Sequence, residues 1–256
     1  MENKILDYRA TLAYNSETFL IQHGVLAKVF MDIDDNFDSL LRPLSEKRDS
    51  HGYSHISLIP FIVFLQRQAR AAFELFSRDQ SYQGWVLLRP GIESILIIGK
   101  WLDDPANATI WNQRHKNREA YIKNYTGKAL KSKSLRCSSQ IRSVLSKVND
   151  DFVHPNPEYY SRHLSAADQS AEDITIKIDY FDNDAVQEIH VLAFLHLLLV
   201  MQDNLSELFS KLFTSPVVLP KTLKMFKEVF SKRIVVLMSQ NPLAKNIFIE
   251  LGAWEV

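Results

Sequence analysis

The chain has 256 residues, 46% of them hydrophobic, and its 30 basic and 30 acidic residues give a formal net charge of zero. Seven glycines are few for glycine-rich phosphate loops or a turn-rich all-β fold, and a single cysteine, Cys137, excludes an intrachain disulfide and a zinc cage of thiolates. We therefore predict a cytoplasmic all-α protein, a multi-helix bundle, that holds no cofactor and no metal.

Apolar residues recur at steps of three and four along most of the chain, which is the period of a helix with one buried face. The longest apolar run, VLAFLHLLLVM at residues 191–201, is shorter than the ~20 residues of a membrane span, so we expect a core helix and no span. We predict a helical bundle domain at 1–215 and a C-terminal helical extension packing on it at 216–256. The predicted helices lie at about residues 16–41, 56–76, 87–102, 107–125, 134–148, 184–213, 221–238 and after Pro242.

The period changes to two in DITIKIDYF, residues 173–181, where apolar and polar residues alternate as in a half-buried strand. We expect its partner strand within residues 159–166, which gives a small inserted β-hairpin near 159–181. Asp184 and Gln187 have the spacing of a capping box at the start of the helix that follows.

Three charged residues interrupt the apolar segment LLRPGIESILIIGKWL, residues 87–102. On a helical wheel Arg89 and Glu93 lie about 40° apart, and Lys100 lies about 20° from Arg89, so the three share one narrow stripe. The other faces are apolar, which is typical of a helix in the middle of a bundle. We therefore expect the stripe to point at a polar region between helices.

Pro90 leaves two alternatives for this helix, because proline lacks an N–H and disfavours helix in the residue before it. Either a helix begins at Pro90, or a longer helix from Tyr82 is kinked there. The charges leave two alternatives as well. Arg89 and Glu93 form a buried ion pair that only fixes helix register, or they belong to a binding or catalytic site.

The same segment resembles the arginine-proline-x-x-glutamate helix of a loosely defined group of uncharacterised bacterial helical proteins, which also carry a later serine-to-histidine-proline segment. In this chain the second segment is VLSKVNDDFVHPNP, with Ser146, His154 and Pro155. Some members of that group are distantly similar to HEPN domains, helical bundles that often act as metal-independent ribonucleases in defence or toxin systems. The resemblance covers these two short motifs.

The HEPN hallmark is an arginine, usually followed by a polar residue, and then a histidine, with four to six residues between the two. Here RDSHGYSH places six residues between Arg48 and His55, so these two are catalytic candidates. His154 is a third candidate, since it lies at an expected helix end where carboxylates and backbone groups tune an imidazole. The alternative is that His154 caps the preceding helix.

Other histidines have simpler interpretations. His51 and His55 are four residues apart, a spacing that suits two zinc ligands on one helical face, but Gly52 and the lack of a clear third ligand favour solvated loop histidines. His190 and His196 face different sides of an apolar helix, so we expect hydrogen-bonded core or interface histidines.

Charge is strongly bipolar along the sequence. Residues 114–147 hold ten Lys or Arg and one acid, whereas residues 149–189 hold ten acids and two basic residues. In the basic segment, Tyr121 and Tyr125 are placed to stack on bases while the cations meet phosphates. The alternative is that the two segments fold against each other or pair across a dimer.

The leading hypothesis is a HEPN-like binding or effector protein for a polar or phosphate-bearing ligand, in a defence or stress context. Arg89 would hold an anion, Glu93 would orient Arg89, and His154 would donate or accept a proton if chemistry occurs. RNA or another anionic partner would be attracted by residues 114–147, and we expect a homo-oligomer. A noncatalytic protein that self-associates and a metal-independent ribonuclease are the alternatives.

Overall fold

The computed structural model describes residues 4–46, 55–154, 157, 164–169, 174–178, 181–182, 184–213 and 217–250. These residues are mostly helical, which confirms the predicted all-α class. Short 3₁₀ turns lie at His55–Leu58 and Gly127–Ala129, and a π turn lies at Asn149–Val153. The α-helices are α1 (Lys4–Gln22), α2 (Gly24–Glu46), α3 (Ile59–Phe76), α4 (Ser81–Asp103), α5 (Ala106–Asn112), α6 (Arg118–Tyr125), α7 (Ser138–Val148), α8 (Asp184–Leu212), α9 (Lys221–Gln240) and α10 (Pro242–Glu250).

Helix α8 is a core helix, as predicted for residues 191–201. Its stretch Val186–Leu212 is long and apolar enough to cross a membrane by composition alone, but 94% of the most apolar window is buried inside the protein. Two buried amides fix how it faces α2, because Asn36 Nδ2 donates to Gln202 Oε1 at 2.9 Å and Gln202 Nε2 donates to the carbonyl of Ile33 at 2.8 Å. The expected lack of a membrane span stays a prediction.

Histidines 190 and 196 of α8 are both buried, as expected for core residues. The indole N–H of Trp85 donates to His190 Nδ1 at 3.0 Å. Burial, with a smaller contribution from the nearby charge of Lys227, lowers the pKa of His196 to about 3. The side-chain Nε2 of Gln187 donates to the carbonyl of Phe76 at 3.0 Å, and the predicted capping box of Asp184 and Gln187 stays a prediction.

Helix α4 lies close to α3 because two of its glycines face that helix. A Cβ built on Gly84 would lie 3.0 Å from the ring of Phe76, and one on Gly91 would lie 3.0 Å from the side chain of Leu65. The start of α4 is held by Asp182, whose Oδ2 accepts the backbone N–H of Ser81 at 2.9 Å. A carboxylate at a helix N-terminus also interacts favourably with the helix dipole.

Pro90 lies inside α4, which runs without interruption over Ser81–Asp103. This corresponds to the predicted alternative of a longer helix rather than a helix that begins at Pro90. The neighbours Leu88 and Ile92 are completely buried, and their burial offsets the cost of about 3 kcal/mol that proline imposes inside a helix. Arg89 and Glu93 are therefore one turn apart on the same helix.

The predicted first helix, 16–41, was wrong at both ends. The segment is part of two helices, α1 and α2, that meet at His23. Helix α2 also continues through Pro43, where a loop was predicted. Leu40 and Leu44, which flank Pro43, are fully buried, so core packing outweighs the lost backbone hydrogen bond.

The predicted helix at 107–125 is also two helices, α5 and α6. The chain leaves helical geometry after Asn112, and Asn117 then caps α6 by accepting the backbone N–H of Ala120 at 3.0 Å. Asparagine is among the preferred N-cap residues. Helix α7 begins at Ser138 rather than Ser134.

Two short strands are described as well, β1 (Leu164–Gln169) and β2 (Ile174–Ile178). They pair antiparallel, with Leu164 opposite Ile178 and a bulge between Ala166 and Asp168. The residues that join and flank them lie outside the described ones. The inserted hairpin near 159–181 therefore stays a prediction.

Helix α9 packs on α8 and α2, and α10 packs on α8 and α9. The side chains that they bury there include Leu223, Phe230, Ile234, Ile247 and Phe248. The division into a domain at 1–215 and an extension at 216–256 stays a prediction.

Candidate functional site

A cavity of about 630 Å³ opens between α4, α6 and α7, and we call it the Arg89 cleft. It brings Arg89 and Glu93 of α4 together with residues of the basic segment 114–147. Its lining consists of Arg89, Glu93, Tyr121, Tyr125, Thr126, Gly127, Lys128, Leu130, Ser139, Arg142, Ser143, Leu145, Ser146 and Asn149. The volume is in the usual range of a small-ligand site.

Arg89 is positioned by two neighbours. Its Nη2 donates to Glu93 Oε1 at 3.0 Å and its Nη1 to Glu93 Oε2 at 3.4 Å, while its Nε donates to the side-chain carbonyl of Asn149. A guanidinium has five N–H donors, so these contacts leave donors for a ligand. The Arg89 side chain is 31% exposed. The ion pair thus fixes the orientation of Arg89 without closing the cleft.

Burial raises the pKa of Glu93 above its ordinary value, although the charge of Arg89 and its hydrogen bond oppose that shift. Desolvation of the carboxylate therefore outweighs its attraction to the guanidinium. If Glu93 takes up a proton, Arg89 loses its anionic partner and the cleft gains positive charge.

One face of α7 forms the wall opposite α4. Ser139, Arg142, Ser143 and Ser146 follow each other at helical spacing, and all four line the cleft. Arg142 is half-buried, and its Nη1 donates to the backbone carbonyl of Lys128 at 3.3 Å. Helix α7 thus contributes one cation and three hydroxyl groups to the site.

The charge of the lining is positive. Arg89, Arg142 and Lys128 face a single carboxylate, that of Glu93, which leaves a net formal charge of +2. Arginine forks and serine hydroxyls are the groups with which proteins hold phosphate oxygens. The cleft is therefore suited to an anion that also accepts several hydrogen bonds.

Hydrogen bonds and ring contacts of Tyr125 and Tyr121 hold α6 against α4 and α5 beside the cleft. The hydroxyl of Tyr125 donates to the carbonyl of Asn107 at 2.6 Å and accepts from the indole N–H of Trp101 at 3.0 Å. Tyr121 stacks on Tyr125, with ring centroids 5.6 Å apart and planes 14° from parallel. Tyr125 is only 3% exposed, so packing leaves half-buried Tyr121 as the better surface for a ligand base.

Lys100, the third charge of the predicted stripe, holds the backbone after α6. Its Nζ donates to the carbonyl of Ala129 at 3.3 Å and lies 5.4 Å from the centroid of the Tyr125 ring. Burial lowers the pKa of Lys100. Lys100 therefore supports the Arg89 cleft from outside its lining.

The loop before α7 is fixed to α4 at Gly99 and Asp103. A Cβ on Gly99 would lie 2.5 Å from Leu135 Cδ1 and 2.6 Å from Ser132 Cβ. The carboxylate of Asp103 accepts the backbone N–H groups of the two residues that follow Ser132, at 2.7 and 2.8 Å. These contacts set where α7 starts and hence where its serines and Arg142 lie.

His154 lies just after the π turn, with its side chain exposed, and it does not line the Arg89 cleft. Its backbone N–H donates to the carbonyl of Asn149 at 3.2 Å, so it is connected to Arg89 through that residue. The structure thus brings Arg89 and Glu93 together in the cleft but leaves His154 beside it. A proton-transfer role for His154 stays a prediction.

The ribonuclease candidates are not tested by the fold. Arg48 and His51 lie outside the described residues, and of His55 only the backbone is described, at the start of a 3₁₀ turn. Within the described ranges, no group of three or more His, Cys, Asp or Glu side chains could hold a metal ion.

The predicted pairing of the basic and acidic segments also stays open. Arg136 of the basic segment lies 3.2 Å from Asp203 and 3.4 Å from Glu207, both on α8 and both beyond the acidic segment. Most acidic side chains between residues 158 and 180 lie outside the described part of the chain.

Several lining residues were not singled out from the sequence, among them Lys128, Ser139, Arg142, Ser143 and Asn149. Of these, Asn149 begins the π turn after α7, and the others belong to the basic segment. A wheel of residues 138–149 would have found all but Lys128, because they share a polar face with Ser146. Lys128 lies in a 3₁₀ turn of three residues, which is too short for a periodic pattern.

Comparison with protein-family models, with curated proteins and with solved structures gave no match for this chain. The resemblance to HEPN domains therefore stays a prediction, and the ligand must be inferred from the chemistry of the cleft.

Proposed function

We propose that this chain is a cytoplasmic, HEPN-like protein that binds a phosphate-bearing ligand, RNA, in the Arg89 cleft, in the defence or stress context that the resemblance implies. The observation that carries the proposal is the lining of that cleft, in which Arg89, Arg142 and Lys128 outnumber the carboxylate of Glu93. The proposed role is binding, with no reaction assigned.

Each part of the lining has a role in this proposal. The guanidinium groups of Arg89 and Arg142 hold phosphate oxygens through paired N–H donors, which a lysine cannot offer in a fixed plane. The hydroxyls of Ser139, Ser143 and Ser146 add hydrogen bonds to phosphate or ribose. Tyr121 offers part of its ring to a base, which favours a nucleic acid over a sugar phosphate.

The test is binding of a fluorescently labelled single-stranded RNA, measured by anisotropy over a series of salt concentrations. Arg142→Gln removes one cation of the cleft and is expected to weaken binding and to reduce the log–log salt slope by about 0.7, the contribution of one phosphate contact. Arg89→Lys keeps the charge but removes the planar fork, and we expect it to weaken binding as well.

Lys133→Gln is the matched control, because it removes the same charge from an exposed side chain outside the cleft. If Arg142→Gln and Lys133→Gln have equal effects, or if binding of the native chain is absent, the cleft is not the site. Cleavage of the bound RNA without metal, lost in His55→Ala, would instead identify the ribonuclease alternative.

Self-association is a second candidate function, and the exposed apolar side chains of α1 favour it. Ile5, Tyr14 and Ile21 are 72%, 69% and 77% exposed, and Leu6 and Leu20 are more than half exposed. A cluster of such residues often marks an interface. Light scattering of the native chain and of Ile5→Lys/Ile21→Lys would test this, since a monomeric native chain excludes it.

We also propose that β1 and β2 form a single β-hairpin inserted near residues 159–181. Slow amide exchange at paired positions of both strands is the expected result, and exchange as fast as in an unstructured peptide would refute it.

A further inference from the structure

A second cavity, of about 420 Å³, lies beside the Arg89 cleft and shares one residue with it. It is lined by Arg114, His115, Arg118 and Tyr121, and we call it the Arg114 cavity. Tyr121 lines both cavities. The two cavities therefore meet at one half-buried aromatic ring.

The Arg114 cavity is basic, because its lining holds two arginines and no carboxylate. Arg114 is held in place: its Nη1 donates to the carbonyl of Trp111 at 3.1 Å, and its guanidinium carbon lies 5.0 Å from the centroid of the Trp111 ring. Arg118 is exposed and begins α6. One arginine is thus preorganised and the other is accessible to a ligand.

The ring between the cavities is fixed by its neighbours. Tyr121 packs edge-on against Trp111, with centroids 5.7 Å apart, and stacks on Tyr125. Alternation of cations and an aromatic ring along one surface is the arrangement with which proteins hold single-stranded nucleic acids, where cations meet phosphates and rings stack on bases. A mononucleotide can fill one cavity, whereas only a strand can occupy both.

We propose that the Arg114 cavity is a second phosphate subsite for the same ligand, so that the ligand is a single-stranded polynucleotide that crosses Tyr121 between the two cavities. This inference rests on the proposed function of the Arg89 cleft. It adds that recognition requires a chain of nucleotides, and it assigns Arg114 and Arg118 to the phosphate beyond Tyr121.

The experiment compares two probes on the full chain: adenosine monophosphate by calorimetry, and oligoadenylate RNA of two to twelve nucleotides by anisotropy. We expect affinity to rise with length until both cavities are filled. Arg114→Gln/Arg118→Gln should weaken binding of the longer RNA about tenfold and reduce its log–log salt slope by about 1.4, without changing the affinity for the monophosphate. Arg142→Gln should weaken both.

Lys116→Gln/Lys123→Gln is the matched control, since it removes two exposed charges of the same segment outside both cavities. Tyr121→Leu should weaken RNA binding between about 5-fold and 150-fold, whereas Tyr121→Phe, which keeps the ring, should retain it. Thermal melting of each variant shows whether a loss of RNA affinity is caused by unfolding of the chain.

The outcomes separate the two proposals. If the Arg114/Arg118 variant matches the lysine control while Arg142→Gln still weakens RNA binding, the second subsite is refuted and the Arg89 cleft remains the site. If the affinity does not change with RNA length, the second subsite is likewise refuted and the Arg89 cleft remains the site. If neither the monophosphate nor any RNA binds to the native chain, both proposals fail.

Discussion

Replacing Gly99 with alanine places a methyl group where the loop before α7 packs on α4. The new carbon would lie 2.5 Å from Leu135 Cδ1 and 2.6 Å from Ser132 Cβ, whereas ordinary contacts start at 3.4 Å, so the loop must retreat by about 1 Å. Overpacking of this kind costs about 1 to 3 kcal/mol. The retreat also stretches the hydrogen bonds from the loop to Asp103, and losing one bond to a charged acceptor costs about 1.5 to 3 kcal/mol.

Alanine is the better helix former, and this offsets about 1 kcal/mol of the cost. The net expectation for Gly99→Ala is a loss of roughly 1.5 to 5 kcal/mol in the free energy of unfolding, measured by urea denaturation. Gly24→Ala is the matched control, because a Cβ there would have no atom within 4 Å, and we expect no loss. Equal stability of the two variants would show that the loop is not held at Gly99, and that Gly99 does not set the position of α7.

Three further predictions follow from buried groups near the core and the cleft. Because the pKa of His196 is about 3 in the folded chain and about 6.5 in an unfolded one, the free energy of unfolding should fall by roughly 4 kcal/mol as pH drops from 6.5 to 3. His196→Gln should lessen that acid dependence in urea titrations, and an unchanged dependence would contradict the assignment. Since the pKa of Glu93 is raised, RNA affinity of the native chain should increase as pH falls towards and through that pKa, and Glu93→Gln should bind more tightly at neutral pH without this increase. Tyr125→Phe removes a hydroxyl that bonds Trp101 and Asn107 and should lower the free energy of unfolding in urea by about 1 to 3 kcal/mol, and an unchanged value would contradict a stabilising role of these bonds.

The helices were predictable from the sequence wherever one apolar face continued for several turns. The helix at 56–76 and the core helix at 184–213 follow that rule, and the structure has both with small shifts. The positions at which a helix ends, or continues through a proline, were harder to predict, because they depend on tertiary packing. Pro43 suggested a loop, yet burial of Leu40 and Leu44 keeps the helix intact.

The candidate site was predictable in part. The charges of Arg89 and Glu93 on an apolar helix, and the cations of residues 114–147, were visible as patterns. The structure places Arg89 and Glu93 at one cavity with two of those cations, Lys128 and Arg142. That α7 supplies the facing wall could not be read from the sequence, because the approach of α7 to α4 depends on contacts at Gly99 and Asp103. His154 was associated with Arg89 by motif alone, and its side chain lies outside the lining.

The partners of Arg89 leave a ligand only part of its guanidinium. Glu93 and Asn149 accept hydrogen bonds at Nη2, Nη1 and Nε, so two of the five N–H donors remain for an incoming phosphate. The carboxylate of Glu93 also cancels part of the attraction of Arg89 for an anion, which reduces the net affinity for any single weak anion. The cleft therefore favours ligands that make contacts at several of its points at once, and metabolites with one isolated carboxylate gain little by entering it.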